Sequence, residues 1–159
     1  MSRDYILSSH PRGYENPVNL RASAALEAAG AWDAAPTESF STNAQNLMLT
    51  FTYTRGGAAG AFDWQLWTSL YSIAALAPAG AQEWVAQSVY AGGLLVAGAD
   101  VQSEVQREYQ TYEATGAAAE SFVYGPIAFD GAIERIRVRA RESGNVGAPG
   151  TLQITAEMI

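Results

Sequence analysis

Cysteine is absent from this 159-residue chain, so neither a disulfide framework nor a thiolate metal site is available. Lysine is absent as well: all nine basic residues are arginines, which excludes a Schiff-base lysine and a P-loop lysine. The single histidine, His10, sits before Pro11 with no second imidazole to share a metal. No apolar run reaches the roughly 18–20 residues of a membrane-spanning helix. The softest stretches are Leu70 to Ala79 and Tyr90 to Ala99. Met1 to Tyr5 lacks the apolar run of a signal peptide, so the expectation is a soluble protein made in the cytoplasm. Catalytic signatures are missing too: there is no G-x-S-x-G elbow, phosphate-binding glycine loop or H-E-x-x-H. Glu104 and Glu108 share one strand face. Four strand residues span about 13 Å, too far for a glycosidase carboxylate pair. The expectation is a non-enzymatic protein with no cofactor and no metal.

What is present fits one domain with an ordinary core: 159 residues, 48% hydrophobic. The net charge of −7 argues against nucleic acid or an anionic membrane as partner, since both attract positive patches. Residues 1–17 read as an extended N-terminal arm, punctuated by Ser8, Ser9, Pro11, Gly13, Asn16 and Pro17. The arm carries Tyr5, Ile6, Leu7 and Tyr14, apolar enough to clasp a neighbouring subunit; the plainer reading is a loose terminus.

From residue 18 to 159 the dominant period is 2. Leu47, Leu49, Phe51 and Tyr53 alternate with Met48, Thr50, Thr52 and Thr54, which is a half-buried strand. Phe62, Trp64 and Leu66 alternate with Asp63, Gln65 and Trp67. Val101 to Tyr112 alternates over twelve residues, with Gln102, Glu104, Gln106, Glu108, Gln110 and Tyr112 on the expected wet face. Leu152, Ile154, Ala156 and Met158 form the apolar face of a last strand. Ala22 to Ala29 fits a strand or a short helix ended by Gly30, and the strand is favoured. Asp130-Gly131 suits a type I′ turn and predicts a hairpin. Its register would set Phe129 against Ala132, Ile127 against Glu134, Gly125 against Ile136 and Val123 against Val138. Tyr124 would then face Arg137, and Phe122 would face Arg139.

These segments predict an all-β chain, an antiparallel jelly-roll β-sandwich of about eight strands. Leu49, Phe51, Trp64, Leu66, Val105, Ile136, Val138, Leu152 and Ile154 are its expected core.

Two side-chain sets stand out. Trp67 and Tyr71 fall on a polar strand face with Asp63, Gln65 and Ser69. They are either covered by a loop, the arm or another subunit, or they form a platform that stacks sugars. Arg135, Arg137, Arg139 and Arg141 point to one face while Ile136, Val138 and Ala140 point to the other. Four like charges in line repel unless something answers them. The predicted hairpin offers Phe122 and Tyr124 for guanidinium stacking, and carboxylates of this chain or of another copy are the other candidates.

Tyr53-Thr-Arg-Gly-Gly57, Val105-Gln-Arg-Glu-Tyr109, Ala132-Ile-Glu-Arg-Ile-Arg-Val-Arg-Ala-Arg-Glu-Ser-Gly-Asn145 and Pro149-Gly-Thr-Leu152 give the chain after residue 18 a further character. It resembles structural proteins of tailed bacteriophage virions. The resemblance implies a capsid decoration protein located in the virion. It further implies binding as an oligomer, a trimer among the possibilities, with other copies and a major capsid or other virion protein as partners. A carbohydrate-binding or host-adhesion module is the alternative.

Overall fold

The computed structural model describes residues 17–40, 46–80, 82–87, 89–90, 106–107, 109–128 and 133–158. Its strands are β1 (Val18–Ala25), β2 (Glu38–Phe40), β3 (Asn46–Thr54), β4 (Ala61–Ser69), β5 (Val85–Ala86), β6 (Val89–Tyr90), β7 (Gln106–Arg107), β8 (Gln110–Glu113), β9 (Glu120–Ala128), β10 (Arg135–Glu142) and β11 (Thr151–Met158). A first antiparallel sheet has the order β1-β11-β3-β9. The second has β2-β10-β4-β5, with β8 also paired to β4. Among the described residues nine strands thus make the two sheets where about eight were expected, and β6 and β7 form a separate ribbon.

Alternation explains the packing. In β3, Leu47, Leu49, Phe51 and Tyr53 are fully buried while the residues between them stay half-exposed. Directly opposite on β11, Leu152 meets Tyr53, Ile154 meets Phe51 and Ala156 meets Leu49. The second sheet answers with Phe62, Trp64, Leu66, Ile136, Val138 and Ala140, all in the same core. Phe51 lies at the seam, its ring 4.9 Å from Trp64 in the facing sheet and stacked 4.8 Å from Phe122. Such pairs add about 0.5–1.5 kcal/mol beyond area burial. Every expected core residue is buried except Val105, which lies outside the described residues. Ala22 to Ala29 is strand as far as Ala25, followed by a 3₁₀ turn at Ala28–Gly30.

Two expectations fail. The strands flanking Asp130-Gly131, a dipeptide outside the described residues, lie in different sheets, so no hairpin pairs them. Phe122 faces Phe51, Val123 faces Thr50 and Tyr124 faces Leu49, while Val138 faces Leu66 and Arg137 faces Trp67. The inward phase of Val138 is right and its partner is wrong. A turn dipeptide sets only local geometry; packing of Phe122 on Phe51 and of Tyr124 beside Leu49 and Trp64 decides the sheet. The wet face foreseen for 101–112 is also reversed where it is described. Gln110 and Tyr112 turn inward, and Tyr112 stacks 4.3 Å from Phe122, while Thr111 and Glu113 are exposed. A tyrosine ring with an aromatic neighbour outweighs the polarity of the glutamine beside it, whose amide Nε2 reaches the Tyr124 hydroxyl at 3.4 Å.

Glu120 closes the β8–β9 turn. Its carboxylate accepts from the Tyr112 hydroxyl, from Thr115 Oγ1 and from the backbone N–H groups of Thr115 and Gly116. Those bonds, the Tyr112 one first, hold its pKa down to about 2.

Candidate functional site

The outer face of the second sheet is where unusual chemistry collects. β10 sends Arg135, Arg137, Arg139 and Arg141 outward, opposite Ser69, Trp67, Gln65 and Asp63 of β4. Aromatic rings from three other segments come over these cations. Trp84 is held by the pairing of β5 with β4 and by the Gln87 N–H, which donates to the Leu66 carbonyl at 2.8 Å. Trp32 precedes Asp33, whose N–H donates to the Ala140 carbonyl at 2.9 Å and whose Oδ2 accepts from the Ala140 N–H at 3.0 Å. Tyr109 leads into β8.

The result is a ladder of alternating cations and rings. The Arg135 guanidinium carbon lies 4.8 Å from the Trp84 ring, and that of Arg137 lies 4.2 Å from Trp84 and 5.4 Å from Trp67. Arg139 lies 5.9 Å from both Trp67 and Trp32, and Arg141 lies 4.5 Å from Trp32 and 5.4 Å from Tyr109. Each contact contributes about 0.5–1 kcal/mol when exposed and about 2 when desolvated. Interposed rings keep like charges apart, which is how four arginines in line are tolerated.

The two ends carry counter-charges. Arg135 Nη1 donates to Glu38 at 2.8 Å, Nη2 to Glu83, and Nε to the Tyr71 carbonyl at 2.7 Å. Arg141 Nε donates to Asp63 at 2.8 Å, and Asp63 also accepts from Thr111 Oγ1 at 2.7 Å. The middle differs. Nε of Arg137 and Nε of Arg139 are buried and have no hydrogen-bond partner. Among the described residues, neither arginine has a carboxylate within ion-pair distance. Burial lowers the Arg137 pKa from the ordinary arginine value; Glu38 and Glu83 oppose that, and Arg139 and Arg135 reinforce it.

The four arginines foreseen as a group are therefore together, with different companions. Phe122 and Tyr124 are packed into the core on the far side of the second sheet from the ladder and do not stack on them. Trp67 is half-buried between Arg137 and Arg139, with Nε1 donating to Gln65 Oε1 at 3.1 Å. Tyr71 is half-buried, its carbonyl given to Arg135. Tyr5, Ile6, Leu7 and Tyr14 lie outside the described residues. Trp32, Trp84, Tyr109, Glu38 and Glu83 were not foreseen. One signal was available: three of the four tryptophans had no assigned place in the core.

A cleft of about 310 Å³ beside β1 is lined by Leu20, Arg21, Glu27, Asp33, Pro36 and Val138, but Arg21 and Asp33 are already paired at 3.1 Å. Among the described residues no His, Asp and Glu side chains cluster so as to hold a metal, and no helix is long and apolar enough to cross a membrane. Comparison with protein-family models, with curated proteins and with solved structures finds no match.

Proposed function

We propose that this chain is a non-enzymatic structural protein that acts by binding other proteins, and that it serves as a capsid decoration protein of a tailed bacteriophage virion. Strand order is the observation that carries the reading. Strands β1 to β4 and β9 to β11 alternate between the sheets, while β5 and β8 both pair with β4 in the second sheet, and the closing strands β11 and β10 lie beside the opening strands β1 and β2. That order supports the jelly-roll form of the sandwich, an architecture used by viral capsid and lectin domains. The ladder supplies the second support: on one sheet face it places two arginines, Arg137 and Arg139, that have no carboxylate at ion-pair distance among the described residues, a feature suited to binding an acidic protein surface.

Assembly as an oligomer, with a trimer among the candidate states, follows from the same reading. Virions banded on a density gradient from the source of the gene should carry the chain in stoichiometric amounts, and the recombinant chain should sediment as an oligomer. Removing residues 1–16 should weaken that assembly while leaving the far-UV circular dichroism unchanged. A chain absent from banded particles, or a monomer retained reproducibly on a glycan array, overturns the reading in favour of a carbohydrate-binding module.

A further inference from the structure

The end arginines of the ladder are satisfied by Glu38, Glu83 and Asp63; among the described residues Arg137 and Arg139 have no carboxylate at ion-pair distance. A partly buried cation without a counter-charge is costly, and ring contacts recover only part of that cost. Stacking also decides which atoms remain available. It occupies faces of the guanidiniums and of the indoles, and both Nε atoms are buried, so a visitor meets the Nη edges. Those edges carry in-plane N–H donors matched to the two oxygens of a carboxylate. A flat sugar ring seeks an indole face, and the Trp67 and Trp84 rings each have two guanidiniums beside them.

We infer that Arg137 and Arg139, at the centre of the ladder, form a receptor for the carboxylates of an acidic segment on a partner protein. The inference rests on the protein-binding reading above and names the chemistry of that partner. Among the described residues four guanidiniums meet three carboxylates along the ladder, a local positive excess on a chain whose net charge is −7. Recognition is therefore short-range. At about 0.15 M salt the screening length is about 8 Å, so the repulsive charge elsewhere on the chain is damped while the ladder acts at contact.

Three of the four tryptophans belong to the ladder, so the emission of the intact chain reports on it. Amidated hexaglutamate titrated in at about 0.15 M salt should give a saturable change, and hexaglutamine, trigalacturonate and a ten-nucleotide oligothymidylate should not. Arg137→Gln and Arg139→Gln should each weaken hexaglutamate binding by about tenfold, the size of one lost charge-assisted contact. Arg55→Gln, outside the ladder with Nη1 turned to the Ala58 carbonyl, should leave it unchanged. Arg139→Lys, which keeps the charge and loses the planar fork, provides a milder change and should still weaken binding by about threefold. No response to hexaglutamate, an equal response to hexaglutamine, or full affinity in all ladder variants overturns the receptor. Equal binding of trigalacturonate or oligothymidylate overturns the protein-segment assignment. A chain that binds hexaglutamate but is missing from banded particles keeps the receptor and loses the virion reading. Particle binding that survives both glutamine variants does the reverse.

Discussion

The hydroxyl of Tyr53 donates to Glu142 Oε2 at 2.9 Å, a bond from one sheet to the other inside the core. Glu142 is 1% exposed and also accepts from the N–H groups of Ala61, Gly144, Asn145 and Gly150. A single carboxylate thus satisfies the loop ends around both sheets. Gly150 sits so close that a Cβ there would lie 2.4 Å from the Tyr53 ring. Burial first, and then Glu142, pushes the Tyr53 hydroxyl above the ordinary tyrosine range, so it remains a donor.

Glu142→Gln should destabilise the fold by about 2–4 kcal/mol, because an amide NH₂ then faces donors that need an acceptor. Tyr53→Phe should cost less, about 1.5–3 kcal/mol, since Glu142 keeps its backbone partners. Urea unfolding of the two variants checks the order as well as the size.

The strand pairing makes opposite demands on three apolar residues. Ile136→Ala should cost about 2–5 kcal/mol, as deletions from a packed core do. Val138, 1% exposed, should be similarly sensitive, whereas Val123, 50% exposed on the outside of the first sheet, should tolerate alanine within about 0.5 kcal/mol. A double-mutant cycle between Val123 and Val138 should show no coupling; measurable coupling would restore the hairpin register.

Acid and base limbs of stability have assigned groups. Glu120, held at about 2 against 4.5 when unfolded, stabilises the fold fully above 4.5, and that contribution is lost as pH falls through about 2. Tyr112 is raised to about 12, chiefly by burial and then by Glu120; its contribution is complete below 10 and is lost as pH rises through about 12. Tyr112→Phe should therefore move the acid limb toward 4.5 and flatten the loss above pH 10. Unfolding free energy measured across the pH range reads both limbs, and unchanged limbs would contradict the assignment.

Trp67→Ala distinguishes a ladder rung from a sugar platform. As a rung between Arg137 and Arg139 it should cost about 2–4 kcal/mol, two partly desolvated cation–π contacts, with a lower melting temperature. A glycan array probed with the intact chain should give no Trp67-dependent signal. Unchanged melting together with such a signal would transfer the residue to the carbohydrate reading.

Local physics made much of this molecule legible in the linear chain. Period-2 alternation assigned Leu49, Phe51, Trp64, Leu66, Ile136, Val138, Leu152 and Ile154 to the core, because a strand alternates its side chains whatever its partner is. The same rule put all four arginines of β10 on one outward face. Pairing was a different matter. Asp130-Gly131 encodes a turn shape, whereas joining β9 to β3 depended on the surface that Phe122 and Tyr124 bury against residues far away in sequence. The arginine stripe was visible as a problem and not as a solution. Its rings and carboxylates, Trp32, Glu38, Asp63, Trp67, Glu83, Trp84 and Tyr109, come from segments scattered along the chain. Only the folded sheet brings them within reach, since what neutralises a buried charge is set by distance in space and not by spacing in sequence.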